Sequence, residues 1–358
     1  MLFSASPLLA SAADFTSRLI SEGTLWGVRF WGWQAAETAR AWPTNAATPR
    51  LDARALRNAQ DLYRTTNIWL AHLGFTPEQW KALEMKRIGP MPDFVRPDGM
   101  WLLRNPRARR SGLVGVLGFE FDWTHASFEF GGVAFTNVAA RVKGNVRSLY
   151  EPNRSYKVDL NKFARGQKLG GLDELTFNSL LWDYSCLGEA LGYEFFREAG
   201  VPAPRTTYAW LSSSVTTQWE QKPLGLYLMV EAVDNHFAAE RFGSKATPVF
   251  KPVTYNLFRH LGGDWSAYAP IYDLKTKATP EQQRRVIEFA QLVSSATDAE
   301  FGARVGDFLD LDEFARFLGG EVLLPCYDGI LSDGQNFYMY LDPRSNKFGF
   351  IPWDLDSA

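Results

Sequence analysis

Cysteine and histidine are scarce in this chain of 358 residues, and each scarcity removes a class of chemistry. Two cysteines, Cys186 and Cys326, are too few for a disulfide framework. Both stand among apolar neighbours, where a free cysteine serves as a small buried hydrophobe. Four histidines, at 72, 125, 236 and 260, have no ligand spacing with one another or with either cysteine, which argues against a structural or His-based zinc site. No run of about eighteen apolar residues occurs, so no segment reads as a membrane-spanning helix. A formal net charge of −2 leaves no global attraction for nucleic acid. There is no internal repeat and no low-complexity tract. The apolar start, Met1 to Ala13, ends in an Ala-Ser-Ala stretch like an export cleavage site but lacks the basic residues that open such signals.

Aromatic and aliphatic side chains are what the sequence has in quantity. With 46% hydrophobic residues, 26 Phe and 13 Trp, the chain can bury a substantial core as one large domain or two ordinary ones. Residues 1–110 read as a helical and loop-rich N-terminal extension, in which Thr76, Pro77 and Gln79 form a capping-box start before Trp80 and Leu83. From about Leu113 the texture becomes β-rich, with strands expected over 113–121, 127–130, 133–142, 155–160, 206–212 and 224–233. One helix, about Tyr184 to Ala199, interrupts them and stops at Gly200 and Pro202. A second capping box at Thr279 and Gln282, and a cap at Asp310, open two later helices. The chain closes on a β-hairpin, Asn336 to Leu341 and Lys347 to Trp353. This order is an α+β pattern and not the alternation of a doubly wound fold.

The polar residues that could carry chemistry concentrate at that hairpin. Asp328 follows an apolar helix, Asn336 opens one hairpin strand and Asp354 ends the other, so the hairpin should bring Asn336 and Asp354 together. Oxygen donors of this kind suit Mg²⁺, which takes a couple of protein ligands and completes its shell with phosphate and water. The simpler role for either Asp is to cap nearby backbone amides in a turn. An acid, an Asn and a second acid also appear in this order in protein-kinase sites. Here, however, Asp328 and Asn336 are eight apart rather than five, with neither HRD nor DFG. The basic run Arg104 to Arg110 reads as a solvated loop, and the aromatic stretch Phe119 to Phe135 as core.

The run GQNFYMY...FGFIPWDLD with the upstream YDG resembles the CotH family of spore-coat kinases. Val142-Lys143-Gly144-Asn145, Tyr156-Lys157-Val158-Asp159-Leu160, Gly200 to Arg205, Gly225 to Leu228 leading to Glu231, and Phe250-Lys251-Pro252 agree with it. The resemblance spans about Leu113 to the C-terminus. It implies an atypical, two-lobed protein-kinase-like fold, with a β-rich lobe at about 111–235 and a helical lobe carrying the late hairpin at about 236–358. It also implies a secreted or cell-envelope setting and a catalytic lobe that stops short of the family's closing helices. The implied activity is transfer of phosphate from ATP, with Mg²⁺ or Mn²⁺, to serine-rich proteins. Carried over, Asp328 takes the catalytic-base position, Asp354 and Asn336 the metal positions, and Lys157 the phosphates with Glu189 as its partner. Lys143 is the rival cation, and Glu231 a candidate contact to adenine or ribose. The alternative is a non-catalytic envelope or coat scaffold of the same fold that binds proteins or glycans.

Overall fold

The computed structural model describes residues 51–88, 114–115, 118–144, 154–180, 183, 185–253, 257–332 and 334–356. The export-like start and the basic run at 104–110 therefore lie outside the described residues. In chain order the strands are β1 Ile68–Phe75, β2 Lys86–Arg87, β3 Phe119–Glu120, β4 Thr124–Phe130, β5 Val133–Lys143, β6 Ser155–Asp159 and β7 Glu174–Asn178. They continue as β8 Thr206–Val215, β9 Trp219–Val230, β10 Val249–Pro252, β11 Tyr272–Leu274, β12 Phe337–Leu341 and β13 Phe348–Pro352. The α-helices are α1 Ala59–Leu62, α2 Pro77–Ala82, α3 Gly188–Glu198, α4 Asn235–Phe242, α5 Trp265–Tyr268, α6 Pro280–Ser295, α7 Asp298–Phe308 and α8 Leu311–Leu323.

Seven strands close into a barrel in the order β1-β4-β5-β6-β7-β9-β8. Alternation drives this: Ala126, Phe128 and Phe130 of β4 point in, while His125, Ser127 and Glu129 face out. Leu73, Phe128, Phe130, Val138, Val158, Leu175, Phe177, Tyr227 and Met229 fill the interior, so the barrel is a packed core and not a pore. The aromatic stretch of β3 to β5 is core, as its pattern predicts: Phe119, Phe121, Phe128, Phe130 and Phe135 are all buried.

The segment read as a helical and loop-rich extension contributes β1 to the barrel. β1 runs antiparallel to β4 and parallel to β8, from Ile68 opposite Tyr208 to Phe75 opposite Val215. Trp69, Ala71, Leu73 and Phe75 are buried every second residue, and without them the barrel would gape between β4 and β8.

The second sheet, β11-β10-β12-β13, lies on the other side of a second core. There Tyr208, Leu228 and Val230, on the outer face of β8 and β9, meet Tyr193 and Phe196 of α3 and Phe337, Met339 and Phe350 of the hairpin. Phe317 of α8 stacks on Phe350 at 5.3 Å, and Phe289 of α6 packs on Phe348 at 5.4 Å, which holds the hairpin from behind. The expected hairpin is therefore extended by β10 and β11, whose strands of four and three residues carry too little alternation to announce themselves. Both capping boxes form as expected, at Thr76–Gln79 and Thr279–Gln282, and Asp310 caps α8 by accepting the Glu313 N–H. α3 starts at Gly188, later than predicted, and gives way to Gly200 at φ 77°. Among the described residues no helix is long and apolar enough to cross a membrane. Cys186 and Cys326 are free and half-buried, and burial raises both thiols, Cys326 to about 12.

Candidate active site at the open end of the hairpin

The β12–β13 register ends at Phe337 opposite Pro352, and the Trp353 N–H then donates to the Asn336 carbonyl at 3.0 Å. Asn336 and Asp354 are therefore neighbours, as the hairpin predicts. Both sit in the left-handed region, at φ 56° and 62°, which Asn and Asp tolerate better than other residues bearing a Cβ. This turn takes Asp354 out of the sheet toward α3. There its N–H donates to the Tyr193 hydroxyl at 3.0 Å.

From Tyr193 a chain of hydrogen bonds crosses to the barrel. The Tyr193 hydroxyl donates to Glu189 Oε1 at 3.2 Å, and Asn178 Nδ2 at the end of β7 donates to both Glu189 oxygens at 3.0 and 3.1 Å. Asn178 Oδ1 accepts from the ammonium of Lys143, the last residue of β5. Glu189 is fixed in turn by its own N–H, which donates to Asp183 at 3.0 Å. Burial, then the nearby Asp354 carboxylate, pushes Glu189 up to about 7. Asp356 is raised by the same two causes in the same order. Burial lowers Lys143, and Asp354 and Glu189 oppose that effect.

A second lysine faces the same carboxylates. Lys251 of β10 lies over the Tyr338 ring at 4.7 Å and the Trp353 ring at 5.0 Å, while Lys143 stands 5.7 Å from the centre of the Trp353 ring. Burial lowers Lys251 to about 7, and Asp354 is the first charge acting against that. Two amino groups, one from each sheet, thus approach the Trp353 ring.

Lys143, Glu189, Asn336 and Asp354 of the sequence candidates are brought together, Asp328 acts electrostatically on Asp356 beside them, and Lys157 and Glu231 are held by other partners. Lys157 pairs with Glu174 at 2.5 Å and not with Glu189, because β6 sets it opposite Arg141 and Thr176. The expected Lys157–Glu189 pair is corrected to Lys143–Asn178–Glu189. Glu231 is 3% exposed, and its carboxylate accepts from the Arg205 backbone, Nε and Nη2 and from Arg241 Nη2. Glu231 thus clamps the chain between β9 and α4 through Arg205 and Arg241. Asp328 is exposed on the loop after α8 and acts electrostatically on Asp356. Sequence reasoning missed Lys251, Asn178, Tyr193 and Asp356. Lys251 had a signal: a lysine inside the short apolar run Val249 to Pro252 has to be buried with its charge or work with it.

The donor set fits a hard cation bound with phosphates. Among the described residues no three His, Cys, Asp or Glu side chains converge to hold a metal unaided. Mg²⁺ needs only one or two carboxylates when phosphates and water complete its octahedron, and Asp354, with Asp356 and Asn336 beside it, supplies that number.

A family model described as CotH kinase protein matches residues 140–358. The chain belongs to this family. The CotH match takes in every residue of the site from Lys143 to Asp356, and it starts later than the resemblance from Leu113 implied, inside β5. Strands β1 and β4, which close the barrel, precede it. The chain is also similar to Inner spore coat protein H of Bacillus subtilis (strain 168), 24% identical over 208 residues, which cover 57% of this chain and 54% of that protein. It thus spans about half the length of the curated relative it matches.

Proposed function

We propose that the chain is an ATP- and Mg²⁺-dependent phosphotransferase acting on hydroxyls of serine-rich proteins. One observation carries this reading: Lys143 and Lys251 both approach the Trp353 ring beside Asp354, so two cations, an aromatic ring and a carboxylate meet at one hairpin end. Lys143 and Lys251 neutralise phosphate oxygens, and the Trp353 ring beside them offers a flat surface to the nucleotide. Asp354, with Asn336 and Asp356 adjacent, holds Mg²⁺ or Mn²⁺, which would offset charge on the transferring phosphate. Asp328 accepts the proton of the acceptor hydroxyl from the exposed loop, where a protein substrate can reach it. Glu189 and Tyr193 hold Lys143 and Asp354 in register, which favours in-line attack by removing freedom beforehand.

A second reading rests on the name of the relative, a spore coat protein: a scaffold of the same fold in a coat or envelope that binds proteins or glycans without turnover. Incubation with ATP, Mg²⁺ and a serine-rich acceptor, followed by mass spectrometry, separates the readings. The phosphotransferase adds one phosphate to the acceptor, and ATP with Mg²⁺ raises its melting temperature by mass action. An added AMP would make it a nucleotidyl transferase. Neither product nor thermal response would leave the scaffold.

A further inference from the structure

One row across the outer wall of the barrel has almost no side chain. Gly74 of β1 lies opposite Ser127 of β4 on one side and Ser214 of β8 on the other. All three face outward, because their neighbours Leu73, Phe128 and Val215 fill the core. A Cβ at residue 74 would stand 2.3 Å from Ser127 Oγ, so the floor of the row is bare backbone. Each serine is met by a bulge: Thr136 and Asn137 together oppose Ser127, and Glu220 and Gln221 together oppose Ser214. Asn137 and Gln221 take φ 56° and 47°, the left-handed region that residues with a Cβ avoid. The result is a groove of about 500 Å³, the size of a small-molecule site.

The lining of this groove hydrogen-bonds but contains no Lys, Arg, Asp or Glu. His72 Nδ1 is 2.8 Å from Ser212 Oγ, which leaves Nε2 for a ligand, and burial lowers this imidazole so that it stays neutral at pH 7. Gln79 Oε1 accepts the Thr76 N–H at 2.8 Å, which leaves the donors of its Nε2. His125 lies flat on Phe163, with ring centres 4.0 Å apart, and donates from Nδ1 to Asn137 Oδ1. Asn137 Nδ2 in turn donates to the Phe163 carbonyl at 3.2 Å, so the bulge fixes the ring. A phosphate or a nucleotide would find no cation here, and an added strand would find no edge, because the barrel is closed. A sugar needs what is present: neutral donors and acceptors, and a flat ring for its C–H face. We propose that the groove between the two bulges binds a neutral oligosaccharide. Asn137 precedes Lys143 by about 20 Å along β5, so this site is separate from the hairpin end and independent of the phosphotransferase reading.

The test titrates the full chain calorimetrically with cellotetraose, chitotetraose, maltotetraose and mannotetraose, and with tetragalacturonic acid as the anionic control. At least one neutral tetrasaccharide should bind with a Kd below about 1 mM, and the anionic one at least about tenfold more weakly. Ser127→Tyr, which fills the groove from an exposed position, should abolish binding. His125→Ala, which removes the flat ring from another exposed position, should weaken it about tenfold. The melting temperature of each variant checks that the fold is intact. Asp354→Ala should bind the sugar as wild type does. Absence of binding to all four neutral sugars would overturn the proposal, as would equal binding of the anionic one. Binding unchanged in Ser127→Tyr or in His125→Ala, or lost in Asp354→Ala, would overturn it too.

Discussion

Replacing Glu189 by Gln should change how stability depends on pH. In the unfolded chain Glu189 protonates near 4.5, and in the folded protein near 7, because burial and Asp354 disfavour its charge. Between those values the folded state binds the extra proton. The contribution of Glu189 is therefore fully present below pH 4.5 and is lost as pH rises through about 7. A tenfold difference in proton affinity between the folded and unfolded states is worth about 1.4 kcal/mol, which makes the loss about 3 kcal/mol. Gln has the same shape and can still accept from Asn178 and Tyr193, but it does not titrate. Urea unfolding followed by tryptophan fluorescence, in steps from pH 4.5 to 8, measures the difference between the two proteins. It should move by about 3 kcal/mol in favour of Glu189→Gln as pH rises, while other carboxyls common to both curves cancel. A difference that stays constant within about 0.5 kcal/mol would refute the claim that Glu189 is held as a buried acid beside Asp354.

Two further substitutions separate the candidate residues. Lys143→Ala should weaken ATP binding about tenfold or more by calorimetry, the worth of a charged hydrogen bond, whereas Lys157→Ala, already paired with Glu174, should change it less than about threefold. The reverse order would return the phosphates to Lys157. Arg205→Ala leaves the buried Glu231 carboxylate Arg241 as its one ion-pair partner beside the residue-205 amide and should cost about 3 kcal/mol in urea unfolding without changing ATP affinity. A loss of ATP affinity with stability intact would restore Glu231 to the nucleotide site.

Local signals in the sequence carried the parts of the fold that local physics decides. Thr76–Gln79, Thr279–Gln282 and Asp310 start helices wherever they stand, because the orphan amides of the first turn need a partner within three residues. The closing hairpin was legible for the same reason, and with it the proximity of Asn336 and Asp354. Closure of the barrel was not. β1 carries a period of two in Trp69, Ala71, Leu73 and Phe75, but Ala71 is small and the intervening Leu70 is apolar, so the alternation is blurred until β4 and β8 appear on either side. The choice between Lys143 and Lys157 is likewise non-local. Both end or occupy strands of the same barrel, and only the meeting of β7 with α3 through Asn178 and Glu189 decides it. Asp356 and Tyr193 were hidden because burial and the nearby Asp354 and Glu189 set their surroundings, which no spacing announces.

Transfer of label from γ-labelled ATP, in Mg²⁺ or Mn²⁺, to a serine-rich acceptor by wild type, Asp354→Ala and Asp328→Asn bears most directly on the proposed activity. Wild type should transfer the label, and Asp354→Ala should lose both nucleotide binding and transfer. Asp328→Asn should retain binding, with turnover reduced at least about a hundredfold. Transfer by Asp354→Ala equal to that of wild type would contradict the assignment of the site.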